Sequence, residues 1–137
     1  MNQAVGTSPI PGPHPTEGAW LAGSYNASQQ LYLTYGRIGD MKIPGPSMTW
    51  VFVDEDPFSV NDAAFAVVMT ASVWRDWPAT YHNMACGFAF ADGHSETHKW
   101  LDGRTKIATV NNTPPGAYAE PNNPDIAWVQ QRTSARR

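Results

Sequence analysis

Cysteine is nearly absent from this chain. Cys86 stands alone, so no intrachain disulfide can form, and the residue says little about redox compartment. Long apolar runs are missing too: none approaches the ~20 residues a membrane-crossing helix needs, and no signal-peptide pattern opens the sequence. Charge is sparse, at 15% of residues with a net charge of −3. The only basic concentration is Arg132, Arg136 and Arg137 at the tail, too little for a nucleic-acid interface. Nucleophile signatures are also lacking: there is no G-x-S-x-G, no H-E-x-x-H and no glycine-rich phosphate loop.

What is present is aromatic and turn-rich. Among 137 residues there are six tryptophans, twelve prolines and eleven glycines. That balance suits a compact, loop-rich, mostly β protein better than a helical bundle, which wants more Leu, Glu and Lys. The expected fold is α+β, mainly β: one antiparallel sheet of five or six strands, long loops and a short C-terminal helix. Residues 1–18, polar and rich in Pro and Gly, read as an irregular leader, and 19–137 as one globular domain.

Along the chain, 20–25 and 31–35 are short strand candidates. Residues 48–53 (MTWVFV) predict a central strand covered on both faces, and 65–70 (FAVVMT) the next one. Residues 71–77 predict a helical turn ended by Pro78, and 106–110 an edge strand. Asn123 followed by Pro124 has the chemistry of a helix start, with Ile126 and Val129 on one face.

The densest stretch is 81–100. Asp92-Gly93 between two strand-like runs is a strong hairpin signal, because a two-residue type I′ turn needs φ > 0 at both positions. That turn predicts Ala91 opposite His94, Ala89 opposite Glu96 and Gly87 opposite His98. Phe90, Phe88 and Cys86 then face Ser95, Thr97 and Lys99 on the other side. His94, Glu96 and His98 would meet tiny partners and leave space, while Cys86 would be a small buried hydrophobe.

His82, nine intervening residues and Asp92-Gly93 resemble the H-X9-DG group of prepilin-type proteins, pseudopilin-like proteins of planctomycete and verrucomicrobial lineages. Tyr81-His82-Asn83, the run Phe90-Ala91-Asp92-Gly93-His94-Ser95-Glu96, Gly23-Ser24-Tyr25-Asn26, Pro46-Ser47 and Val53-Asp54-Glu55 agree with it. The resemblance covers most of 20–132. It implies a periplasmic or extracellular head domain with an antiparallel sheet, working with other pseudopilin-like subunits or with itself. Such heads are normally carried on an N-terminal prepilin helix, which this sequence lacks. In related major pseudopilins a C-terminal calcium site uses aspartates and carbonyls; Asp92-Gly93 and Asp125-Ile126 resemble its pieces.

Three constellations bear on chemistry. Asp54, Glu55, Asp56, Ser59, Asn61 and Asp62 place six oxygen-bearing side chains in nine residues, the donor type a calcium ion takes, although the spacing is not that of an EF-hand. The plainer reading is a solvated acidic turn. His94, Glu96 and His98 look like a strand-borne zinc motif, but residues four apart on a strand stand roughly 13 Å apart, so one ion cannot take both histidines. Lacking a nucleophile motif, the economical enzyme is a metal-dependent hydrolase of a neutral ester or lactone, with His82 or His94 as general base and Asp92 beside them. A third class is a carbohydrate-binding module using exposed tryptophans, against which buried aromatic anchors are the simpler reading.

Overall fold

The computed structural model describes residues 32, 33, 35, 37–60, 65–106 and 118–136. Within them the chain is mostly β, with strands β1 (Trp50–Val53), β2 (Val73–Trp74), β3 (Ala85–Phe90), β4 (Ser95–Lys99) and β5 (Tyr118–Ala119), and one helix, α1 (Pro124–Gln131). An antiparallel three-stranded sheet has the order β1-β3-β4, and β2 pairs with β5 in a separate two-stranded sheet. The strands are therefore split between two small sheets, where one sheet of five or six was expected. No helix among the described residues is long and apolar enough to cross a membrane.

The central strand is β3, not the 48–53 run. β3 alternates: Cys86, Phe88 and Phe90 turn inward and are buried, while Gly87 and Ala89 turn outward. β1 lies beside it, and its register with β3 shifts between Trp50 and Phe52. Trp50 pairs with Phe90 and Phe52 with Ala89. This bulge turns Phe52 to the outer face, where it is 50% exposed, while Trp50 is fully buried. A continuous apolar run thus came from an irregular strand with one exposed aromatic, not from a strand covered on both faces.

The 81–100 stretch does form a hairpin, but in a different register. Cys86 faces His98, Gly87 faces Thr97, Phe88 faces Glu96 and Ala89 faces Ser95. The loop has three residues rather than two: Phe90 N donates to His94 O at 2.8 Å, Gly93 N donates to Phe90 O at 3.0 Å, and of the loop residues only Gly93 has positive φ, +97°. A three-residue loop with glycine in the left-handed position is the next commonest hairpin closure. The one-residue slip exchanges the faces. His94, Glu96 and His98 stand opposite Phe90, Phe88 and Cys86, and the small residues Gly87 and Ala89 stand opposite Thr97 and Ser95.

Two further expectations differ. Residues 65–70 contribute only an isolated bridge, Val67 to Trp74, and 71–77 hold β2 instead of a helical turn. Of the remaining candidates, 20–25, 107–110 and the leader 1–18 lie outside the described residues, and Tyr32 makes a single bridge with Arg136. The C-terminal helix follows its sequence signals. The Asn123 side chain accepts from the backbone of Asp125 and Ile126, Pro124 occupies the first turn, and Ile126 and Val129 are buried.

The core is aromatic. Trp50 meets Phe65 and Phe88 edge-on at 6.0 and 6.1 Å, and Trp100 meets Phe88 and Trp74 at 6.1 and 6.0 Å. Such pairs contribute about 0.5–1.5 kcal/mol each beyond area burial. Trp50, Trp74, Trp77 and Trp100 are buried and Trp128 is half-buried, so none of the described tryptophans is an exposed sugar platform.

Candidate functional site

The H-X9-DG residues stand at opposite ends of β3. His82 belongs to the turn that enters the strand, where Asn83 and Met84 both have positive φ, 58° and 60°. Met84 N donates back to Thr80 O, and Met84 O accepts from Trp100 N, which ties the turn to the end of the hairpin. Asp92 sits at the other end, in the hairpin loop. Its Oδ1 accepts the His94 backbone N–H at 3.1 Å and lies 2.6 Å from His94 Nδ1. The hydrogen bond from the imidazole holds the Asp92 carboxyl below its usual range. Five rises along β3 separate these ends by roughly 16 Å. His82 therefore does not share a site with Asp92 and His94.

Each end has its own Asp–His pair. At the entry, His82 Nε2 is 3.3 Å from Asp54 Oδ2, both side chains being about half exposed. The Asp54 carboxylate lies over Gly87: a Cβ there would fall 2.6 Å from Oδ2. Absence of a side chain at 87 gives this pair its room. An open groove of about 370 Å³ runs along the same outer face, with Phe52 and Asp54 on one wall and Ser95 and Thr97 on the other. At the exit, His94 lies flat on Phe90, with ring centroids 4.4 Å apart and planes 4° apart.

The candidate metal ligands are distributed rather than gathered. The Asp56 carboxylate is buried and Oδ1 accepts the Phe58 amide at 2.9 Å, while Ser59 Oγ accepts the Trp77 amide at 2.9 Å. Glu55 forms a backbone bridge with Pro78. Asn61 and Asp62 lie outside the described residues. Asp125 is fully buried at the first turn of α1, where its two oxygens accept the amides of Leu101 (3.0 and 3.2 Å) and Asp102 (3.0 Å). Both Asp125 oxygens thus accept backbone amides, and Asp92 Oδ1 is held within its own loop. Among the described residues no three His, Cys, Asp or Glu side chains group in a way that could hold a metal ion. Asp54 and Glu55 are half-buried acids at the start of the 54–62 run, and their hard oxygens suit calcium in kind.

Cys86 offers no nucleophile. Burial pushes its thiol up to about 12, the Asp54 charge adds to that, and Sγ–H donates to Asp54 O at 3.1 Å. The pairs can orient an imidazole, but each lacks an activated nucleophile among its described contacts.

A third cluster had no sequence signal. His98 stacks on Trp128 with centroids 3.8 Å apart and planes 16° apart, meets Trp100 edge-on at 5.1 Å, and the Arg132 guanidinium caps the Trp128 ring at 4.0 Å. His98 and Trp100 stand about thirty residues from Trp128 and Arg132, and the two halves meet only because α1 packs against the hairpin. No family model, curated protein or solved structure matches the chain.

Proposed function

We propose that this protein is a non-enzymatic, pseudopilin-like head domain of the cell envelope, periplasmic or extracellular, acting through contacts with other subunits. The observation carrying this reading is the position of the motif residues. His82 and Asp92-Gly93 bracket β3, each in a turn that starts or ends the central strand. A motif that builds both ends of a strand has an architectural reason for its fixed spacing. A catalytic reading that joins His82 to Asp92 needs the two together, and roughly 16 Å of strand separates them.

The metal-dependent hydrolase gives the contrast that tests this. Purified protein is expected to show no turnover of activated esters or lactones above buffer. His82→Ala and Asp92→Ala are expected to lower the melting temperature through their turns. Turnover abolished by EDTA and reduced in both folded variants would overturn the reading.

Calcium, in the same reading, belongs to the 54–62 loop, with Asp54, Glu55 and Asp62 as its acids, where it would supply loop closure and stability. EDTA should then lower the melting temperature and added calcium restore it. An unchanged melting curve removes the ion and leaves the head-domain reading standing.

A further inference from the structure

The three-stranded sheet has two edges, and the chain treats them differently. Its own segments close the β1 edge: Trp50 N donates to Arg132 O at 3.2 Å, and just beyond the strand Asp56 N donates to Trp77 O and Ala79 N to Asp54 O, both at 2.9 Å. Among the described residues the β4 edge has no such cover. β4 pairs with β3 alone, and Ser95, Glu96, Thr97 and Lys99 are exposed.

The hydrogen-bond phase shows which backbone groups are open. Phe90 N donates to His94 O at 2.8 Å and Trp100 N to Met84 O at 2.9 Å, so even-numbered residues of this strand turn their backbone toward β3. Antiparallel alternation leaves the N–H and C=O of Ser95, Thr97 and Lys99 directed away from the sheet. Such a row is a template for another strand.

Charges on an edge usually guard it by opposing like charges when a copy approaches. Here they have the reverse arrangement. When Ser95–Lys99 pairs antiparallel with itself about Thr97, Thr97 meets Thr97 of the second copy, Glu96 meets His98, and Ser95 meets Lys99. No charge meets its like, and the Glu96 carboxylate faces an imidazole whose N–H it can accept. The pattern is self-complementary about one residue, as an isologous two-fold contact requires.

We propose that β4 is a self-association edge, on which two copies of this chain pair antiparallel about Thr97 and join their three-stranded sheets across a two-fold axis. A five-residue strand pair is smaller than a standard stable interface of about 1,600 Å², so the dimer is weak and is measured at high concentration. The inference is independent of the head-domain reading, since it rests on the edge alone.

Cysteine scanning with sedimentation equilibrium tests it. In this register the two Thr97 Cα atoms lie about 5.5 Å apart, within disulfide reach. Thr97→Cys is expected to give a disulfide-linked dimer under mild oxidation, with little background because Cys86 is buried. Ser95→Cys and Lys99→Cys should each cross-link poorly alone and well when mixed. Thr97→Pro removes an outward N–H without touching the β3–β4 ladder, so it should stay folded by circular dichroism and become monomeric. Glu96→Lys should weaken association about tenfold by removing the carboxylate that accepts the N–H of the facing His98 imidazole. Wild-type protein that remains monomeric up to about 1 mM, or Ser95→Cys linking to itself as readily as Thr97→Cys, overturns the proposal. Should Thr97→Pro fail to fold, the cysteine set still decides the register.

Discussion

The Asp125 carboxylate, fully buried at the start of α1, accepts three contacts from the amides of Leu101 and Asp102. It fixes the segment leaving the hairpin onto the helix, and it stands where the helix dipole favours a negative charge. Next to it, Asn123 caps the helix and its Nδ2 donates to Thr105 Oγ1 at 3.0 Å and to Glu120. Hydrogen bonds to a charged acceptor contribute about 1.5–3 kcal/mol, and stranding the buried amides adds a desolvation cost. Asp125→Ala is therefore expected to destabilise by about 3 kcal/mol in equilibrium urea unfolding. Asp125→Asn, which keeps one acceptor oxygen, should lose less than half of that. Equal losses in the two variants would show that the charge, not the hydrogen-bond geometry, is what the site needs. The sequence marked Asp125 through its resemblance to an ion-binding pair. The structure assigns it to backbone amides that no spacing rule connects to it.

Helix α1 and strand β4 meet through the stack of His98, Trp128 and Arg132, and this contact has a pH signature. Burial pulls the His98 pKa below its ordinary value, as does Arg132 in smaller measure, while Asp125 and Glu96 oppose the shift; Cys86, directly across the strand pair, stays neutral. Among the described residues His98 Nε2 is buried without a hydrogen-bond partner. The fold thus favours the neutral ring, so the unfolded chain takes up the proton first as pH falls. Stability from this group is fully present above the unfolded value near 6.5 and is lost as pH falls through the lower folded value. In dilute protein, the melting temperature of the wild type should drop more between pH 7.5 and 5.5 than that of His98→Phe, which keeps the stack without the titration. Parallel drops would remove His98 as the cause. The same two elements show what the sequence could convey. Asn123, Pro124, Ile126 and Val129 are local signals, and α1 follows them. Asp92-Gly93 located the hairpin, but its register depended on whether Asp92 also adopts positive φ. It does not, and that single dihedral moved three polar side chains to the other face. Phe52 was misassigned for a similar reason, since a bulge leaves no trace in hydrophobicity. Asp54 and His82 each stood out in the sequence, but their pairing and their separation from Asp92 follow only from how β1 and β3 lie together.

At the scale of the molecule, the C-terminal residues do what no described strand does on the β1 side. Trp50 N donates to Arg132 O at 3.2 Å, and Trp50 Nε1 donates to Thr133 Oγ1 at 3.1 Å. Thr133 Oγ1 in turn donates to Val129 O at 2.8 Å. Ser134 Oγ donates to Leu33 O at 2.7 Å, and Leu33 N to Ala135 O at 2.9 Å. One short segment therefore joins strand, helix and the early chain across sequence separations of 83 and 101 residues. Thr133 is the pivot: it is 1% exposed, and its hydroxyl both receives the Trp50 indole N–H and bonds the helix end. Thr133→Val keeps the shape and deletes the hydroxyl, leaving a buried indole N–H without an acceptor. The expected cost is about 2 kcal/mol, the range for stranding one buried donor. Thr133→Ser keeps the hydroxyl and should recover most of it. The contacts span the chain, so the loss should appear as one lower midpoint with an unchanged denaturant slope, read alike by tryptophan fluorescence and circular dichroism. Two transitions in Thr133→Val, with the aromatic core melting after the C-terminal segment, would show that this segment is an independent strap rather than part of the cooperative fold.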